Sequence, residues 1–382
     1  MTLLMGDMMK ICNKTTGVKL LGVFIIAAGC SADDVENEYD SIEAPELELT
    51  HSFDIVDSDE TMMSGIGGVH VASDGKIMLT DPRQTKVNVF SEDGEYLHSF
   101  MQSGSGPGEV ELMGRTNLLS DDRFTVMDFS NRRISMFNRN GDQWEFQYST
   151  AIDAFPAWHY PVDEESWVIY EPSLPFIPDA SDSNMASLFD RDGNQTEEEL
   201  FLFPSNNSIE IQNDDGAPMM NVNSPFTGQN QFGFGDGYLV HTFTDELGVT
   251  IYDLPSFELK TSFSLKRPHL DLSDASIEEF ASQFEDTQMP ADDPAGQVHS
   301  QMPDQKSITH HMLYDRGGYI WLKVHSEDDT NPWLIFDHYG ELLYNTPIDL
   351  EGNIRKVHNG RMYISTEDDS GLPKVRVYEY EV

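Results

Sequence analysis

Cysteine is almost missing from this chain: two occur in 382 residues, Cys12 and Cys30, both within the first thirty positions. Residues 31–382 therefore hold no disulfide and must be stabilised by their core, for which the length is ample. Basic residues are scarce as well, with 23 Lys and Arg against 67 Asp and Glu and a net charge of −44. The acids are spread along the chain rather than gathered in a tail. Such a field repels phosphate backbones and anionic membrane surfaces, which excludes nucleic acid as a partner. Salt screens the repulsion between the carboxylates, so the composition fits a halophilic, salty setting. Long apolar runs are also lacking, because the longest, LGVFIIAA near the N-terminus, is too short to span a bilayer by itself.

What is present begins with an export plan. Lys10, Lys14 and Lys19 precede the apolar run, and Ala27-Ala28-Gly29-Cys30 follows it. That tetrapeptide resembles a bacterial lipobox, which implies cleavage before Cys30 and a lipid on its new N-terminus. Residues 1–29 then form the signal peptide, and their removal takes away three Lys and Asp7, leaving −46. Residues 30–45 follow as an acidic flexible tether with Asp33, Asp34, Glu36, Glu38, Asp40 and Glu43. Acidic residues behind a lipidated cysteine resemble the surface-export signal of Bacteroidetes lipoproteins, which implies an outer-membrane lipoprotein exposed at the cell surface and touching the membrane only through its anchor.

Two stretches 47 residues apart align without a gap, GVHVASDGKIMLTDPRQTKVNVFSEDG from 68 and RTNLLSDDRFTVMDFSNRRISMFNRNG from 115. Ser73/Ser120, Asp74/Asp121, Asp81/Asp128, Phe90/Phe137 and Gly94/Gly141 coincide. A period of this size marks stacked blades or solenoid units. Ile77 and Leu79, then Val87 and Val89, alternate with other residues as half-buried strands do. An apolar-aromatic-polar signature before a turn continues as VFSEDG, MFNRNG, LFDRDG, IYDLPS, IFDHYG and VYEYEV, and six copies predict six blades. The last unit ends after its third strand, while LELTHSFDIV at 47–56 has no unit of its own. The N-terminal strand is expected to close the last blade, which protects the sheet edges of a domain without disulfides. The expected fold is an all-β, six-bladed propeller over residues 46–382.

The segment GSGPGEVELMGRTNLLSDDRFTVMDFSNRRISMFNRNG resembles an NHL repeat, as does its neighbour from Gly68. With Cys30, the chain resembles NHL-like six-bladed propeller lipoproteins of the Bacteroidetes, most of which have no assigned biochemical activity.

Three insertions interrupt the spacing, at 171–184, 204–230 and 266–307. Within the last, Ile277, Phe280, Ala281 and Phe284 stand at helical intervals and Ser276 with Glu279 has capping-box spacing. A helix lying across one face is expected, either sealing apolar strand ends or acting as a lid over a pocket.

Catalytic motifs are few. GSGPGE at 104–109 lacks the Lys-Ser or Lys-Thr of a phosphate loop and reads as an interblade crossing, with Glu109 bonding to its amides. Asp81 and Asp128 read as loop-holding carboxylates, and with Asn131-Arg132-Arg133 after the latter a carboxylate to guanidinium or backbone bond across the loop is expected. Twelve histidines include His70, His159, His310, His311 and His358 on or near inner strands, without HxH or HExxH spacing. Aromatics mark a second candidate surface: Trp158, His159 and Tyr160 on one inner strand, Phe232 and Phe234 on another. Candidate ligand-binding residues are thus His70, Trp158, His159, Tyr160, Phe234, His310, His311 and His358. The reading is a non-catalytic binding or scaffold module for an envelope protein or extracellular polymer, with no metal or other cofactor. The alternative is a metal-dependent propeller hydrolase or lyase with its site in the central channel.

Overall fold

The computed structural model describes residues 44–381 apart from 121, 153–157, 164, 173–183, 236, 255, 286–290 and 316. The signal peptide, Cys30 and the tether up to residue 43 lie outside the described residues.

Six four-stranded antiparallel sheets follow one another along the chain. Their inner strands are Gly68–Val71, Met113–Ser120, Trp158–Pro161, Asn230–Gly235, Thr309–Tyr314 and Asn353–His358. In blades one to five the chain passes from the inner strand outward through all four strands. Blade six is completed differently, because Thr50–Val56 pairs antiparallel with Pro373–Glu379 and supplies its outer strand. The expected closure is therefore present, and the whole is an all-β, six-bladed propeller.

The second and third strands occur where the sequence signature places them, for example Ile77–Asp81 with Lys86–Phe90 and Arg123–Asp128 with Arg133–Asn140. Glycine at the following turn has a steric reason. Gly94 adopts a φ of 84° beside the Phe53 ring, where a Cβ would come within 2.7 Å. Blade four has no glycine there, and Phe257 takes the left-handed conformation instead, at a φ of 56°.

Apolar side chains gather between blades rather than within them. Met78, Val87 and Val89 of blade one meet Phe124, Val126 and Phe137 of blade two. Met127 and Ile134 of blade two meet Trp167 and Ile169 of blade three, and the pattern runs on to Ile55 and Tyr363 against Val69 and Leu79 at the closure. Each blade is thus covered on both faces, so Ile77–Asp81 is buried throughout and not half-buried as the alternation of Ile77 and Leu79 suggests.

The carboxylates expected to hold loops do so. Asp128 accepts from the backbone amides of Glu111, Leu112 and Asn131 at 3.2, 3.2 and 3.3 Å, and lies 3.6 Å from Arg133 Nε. Asp81 accepts from the amides of Ser64, Arg83 and Gln84. Glu109 accepts from Gly106 N at 2.8 Å, and Arg133 donates to the Gly106 and Glu109 carbonyls, which fixes the glycine-rich crossing.

The 266–307 insertion contains two short helices, α1 (Asp274–Ser282) and α2 (Pro294–Ser300). The cap of α1 is Ser273, whose Oγ accepts from Ser276 N at 3.2 Å, so Ser276 sits inside the first turn instead of starting a capping box with Glu279. Helix α2 was not legible from apolar spacing. It begins at Pro294 after Asp293, whose side chain accepts from Gly296 N. Both helices pack on a hairpin from the second insertion, Ile209–Gln212 with Pro218–Val222, and share a small apolar cluster of Ile209, Ile211, Val222, Ala281 and Val298. Gln297 and Gln301 each exchange two hydrogen bonds with the backbone of Gln212 and Glu210, which covers the exposed edge of that hairpin.

Candidate functional site: the central channel

Because strands alternate in direction, the connections from one blade to the next emerge on the same face as the loops between second and third strands. All three insertions start and end on that face, including the one from Glu171 to Asn184. The inner strands begin there too. The third residue of each is His70, Arg115, Tyr160, Phe232, His311 and Arg355 in blade order, and all six line a central channel of about 950 Å³.

Blades three and four give this channel an aromatic arc. Tyr160 and Phe234 stack with centroids 5.3 Å apart and planes 12° apart, and Phe232 lies alongside. Gly233 lets the blade-four strand approach blade five closely, since a Cβ there would meet Tyr314 at 2.5 Å. The remaining blades give it a basic arc, with Arg115 from blade two, Lys323 and His311 from blade five, and Arg355 and Lys356 from blade six. No Asp or Glu lines the channel among the described residues.

Three inner strands depart from regular pairing, that of blade two twice, the second time between Leu118 and Ser120. The register shifts between Met113 and Thr116, between Thr309 and His311, and between Ile354 and Lys356. Arg115, His310 and Arg355 lie at these bulges, whereas the inner strands of blades one, three and four pair without a shift. A bulge re-aims side chains locally.

Burial acts on these groups in one direction. It lowers the pKa of Arg115 and of Lys323, because both are ringed by protein although they face the lumen. His311 is lowered to about 4, by burial first and then by the nearby Lys323 and Arg355 charges, and packs edge-on to Trp333 at 5.6 Å. His310 is lowered to about 2 by burial and then by His325, against which it stacks at 4.5 Å. Both imidazoles are neutral at neutral pH. His70 lies 2.9 Å from Thr116 Oγ1, between blades one and two.

The structure separates the residues that the sequence brought forward. His70, Tyr160, Phe234, His310 and His311 line the channel, together with Phe232. Trp158 and His159 do not, because they pack between blades. Trp158 stacks on Tyr170 at 5.5 Å beneath Phe232 and Phe234. His159 is fully buried and lies 2.9 Å from Thr125 Oγ1, with a pKa lowered to about 3 by burial and then by Arg115. His358 is also buried, 4.0 Å from Asp315 and away from the lumen. Sequence reading missed Arg115, Lys323 and Arg355. Their scarcity in so acidic a chain was the available signal, but nothing in the linear pattern showed that they converge.

None of the described residues of the helical insertion lines the channel, which does not favour the lid over the sealing role. The insertion bounds a side cavity of about 740 Å³ with Asn207, Phe226, Asp245 and His269. Among the described residues no group of three or more His, Cys, Asp or Glu is placed to hold a metal, and no helix is long and apolar enough to cross a membrane.

A ring of six blades around a lined channel is the class of protein this geometry defines. A family model described as a 6-bladed beta-propeller (DUF5128) matches residues 54–230. Among solved structures, the chain is similar to a protein described as exported from Bacteroides fragilis NCTC 9343, with 12% identity, a TM-score of 0.53, and 90% of this chain and 98% of that one covered. It is similar also to a member of the duf4221 family from Bacteroides vulgatus ATCC 8482, with 12% identity, a TM-score of 0.54 and 89% and 99% covered. A virginiamycin B lyase from Staphylococcus aureus aligns at 13% identity with a TM-score of 0.45, covering 87% and 99%. No curated protein matches the chain.

Proposed function

We propose that this chain is an exported binding module of the NHL-like lipoprotein type, which takes its ligand in the central channel from the face that carries the insertions. The observation that carries this reading is the channel itself: about 950 Å³, lined by all six inner strands, with aromatic faces on one side and hydrogen-bonding groups on the other. Cys30 with its preceding Ala27-Ala28-Gly29 supports a lipid anchor, and the acidic stretch after it supports display at the outer membrane surface. The exported Bacteroides fragilis neighbour is in keeping with that address. The partner is an extracellular polymer or an envelope protein whose exposed end enters the channel.

The test uses the full-length chain in neutral detergent and a panel of oligosaccharides and peptides, read by thermal shift. Asn353 is an exposed residue at the channel mouth, so Asn353→Trp obstructs entry without touching the core. A ligand that stabilises the wild type and not Asn353→Trp is the expected result. Ligands that stabilise both equally place binding elsewhere and overturn the reading. For the anchor, Cys30→Ser is expected to shift the protein from the membrane fraction to the soluble one.

A further inference from the structure

The charge of the channel opposes the charge of the protein. The chain carries −44, yet the described lining of the channel holds four Lys or Arg and no acid. Chance placement of basic residues predicts the reverse, since acids outnumber them 67 to 23. Three of these cations, Arg115, Lys323 and Arg355, stand apart from the ion pairs of the described fold. Among the described residues no carboxylate pairs with Arg115, Lys323 or Arg355, whereas Arg133, Arg139 and Lys76 elsewhere each sit beside one. Arg355 is oriented by its Nε donating to Ser365 Oγ at 2.7 Å, which leaves the outer part of its guanidinium for the lumen. Like charges held together without counter-charge destabilise a fold, so a cluster of this kind points to a ligand that completes it.

We infer that the channel mouth is an oxyanion site, in which Lys323, Arg355 and His311 hold a carboxylate, sulfate or phosphate group and Arg115 offers a second positive point across blade one. This rests on the channel being the ligand site and names the chemistry of the ligand. Arg355 is placed by the bulge in blade six and presents a planar fork suited to an oxyanion. His311, neutral, contributes one N–H, and Lys323 contributes a point charge. The low-dielectric wall strengthens each contact and shields the anion from the acidic exterior. On the opposite side Tyr160, Phe232 and Phe234 present ring faces, to which the apolar face of a sugar or aromatic ring is matched. An acidic saccharide carries both features in one molecule, and free inorganic anions carry only the first.

The experiment titrates the full-length chain with trigalacturonate, with inorganic sulfate and phosphate, and with neutral maltotriose, following melting temperature and calorimetric binding. Expected is saturable binding of an oxyanion probe, weakened about ten- to hundredfold in Lys323→Gln and in Arg355→Gln by loss of a charged hydrogen bond. Arg191→Gln removes an equal charge on the exposed surface and is expected to leave affinity unchanged. Lys323→Gln should also melt higher than wild type without ligand, because it relieves like-charge repulsion, which a purely structural lysine would not show. Trigalacturonate binding more tightly than sulfate or phosphate identifies a sugar acid as the source, and equal binding identifies the inorganic anion. Either result upholds the oxyanion site. Oxyanion binding indifferent to both substitutions overturns it. Maltotriose binding that Asn353→Trp abolishes, with no oxyanion bound, sinks this inference and leaves the channel as the ligand site. No probe affected by Asn353→Trp counts against both.

Discussion

Blades one and two repeat in sequence, whereas blades three to five repeat only in shape. In the first pair the same carboxylate performs the same task 47 residues later: Asp81 and Asp128 each gather three backbone amides at the end of the second strand. In blades three and four that position is held by Glu171 and Phe243, and the buried polar groups are imidazoles instead, His159 and His241. Insertions of 14 to 42 residues leave from the latter half alone, and two of them build a small core of their own. Yet the packing between blades is continuous around the ring. Apolar strand faces that meet their neighbours suffice to propagate the architecture, while identical loop chemistry is one of several ways to finish it.

The contrast is broken most severely by a change common to both halves. Trp321 is fully buried between blades five and six, and Trp321→Ala is expected to cost about 3–5 kcal/mol, measured by denaturant unfolding. A similar loss from Phe124→Ala, between blades one and two, would show that interblade packing is uniform. A tenfold disparity in effect would break the claim that it is.

Next comes the carboxylate device, confined to the regular half. Asp128→Ala takes the shared, buried acceptor from three part-buried backbone amides at once, and a loss of about 3 kcal/mol is expected from their unmet hydrogen bonds. Hydrogen exchange should show the opening centred on residues 104–133. An unchanged melting temperature would remove Asp128 from the structural role given to it.

Acid tests the other half. His159 and His241 have folded pKa values lowered to about 3 and about 4, mainly by burial, below the ordinary value for an exposed histidine. The unfolded chain therefore binds more protons in this window. Stability is full above about pH 6.5 and falls as pH drops toward the folded values, by about 2 kcal/mol for each histidine at about pH 5. His159→Gln should flatten this dependence by about half of that combined effect. A profile identical to wild type would show that some other group governs it.

The insertion core gives a smaller and more local response. Val298→Ala removes a fully buried side chain from α2 and is expected to cost about 2 kcal/mol within the insertion. Exchange protection should fall over 207–222 and 274–301 with the blades unaffected. Loss of protection throughout the ring would mean that the insertion is part of the main cooperative unit. Smallest of all, moderate salt should raise the melting temperature by a few degrees through screening of the −44 charge, and a fall would contradict the halophilic reading.

Much of the ring was legible because its causes are local. Alternating apolar residues such as Ile77 and Leu79, and turn glycines such as Gly94, specify strand and hairpin from a few neighbours, and counting them yields six blades and an unpaired first strand. The loop carboxylates were legible for the same reason, since their partners lie within about twenty residues. Helix α2 was not, because seven residues with one buried valine carry too little periodicity, and its start depends on Asp293 adopting a φ of 47°. His358 and His159 were misleading as channel candidates, since a histidine on an inner strand faces either the lumen or the next blade.

By itself, then, the sequence determined blade number, closure, the acidic exterior and the absence of disulfides, because each follows from composition or from spacing along one strand. Only the tertiary structure decided that Lys323 and Arg355, 208 and 240 residues beyond Arg115, face one lumen with it, with no carboxylate among the described lining residues. Their meeting depends on ring closure, which brings blades two, five and six around one lumen, and neither the direction of a side chain nor the charge of a cavity is written in the order of residues on any one strand.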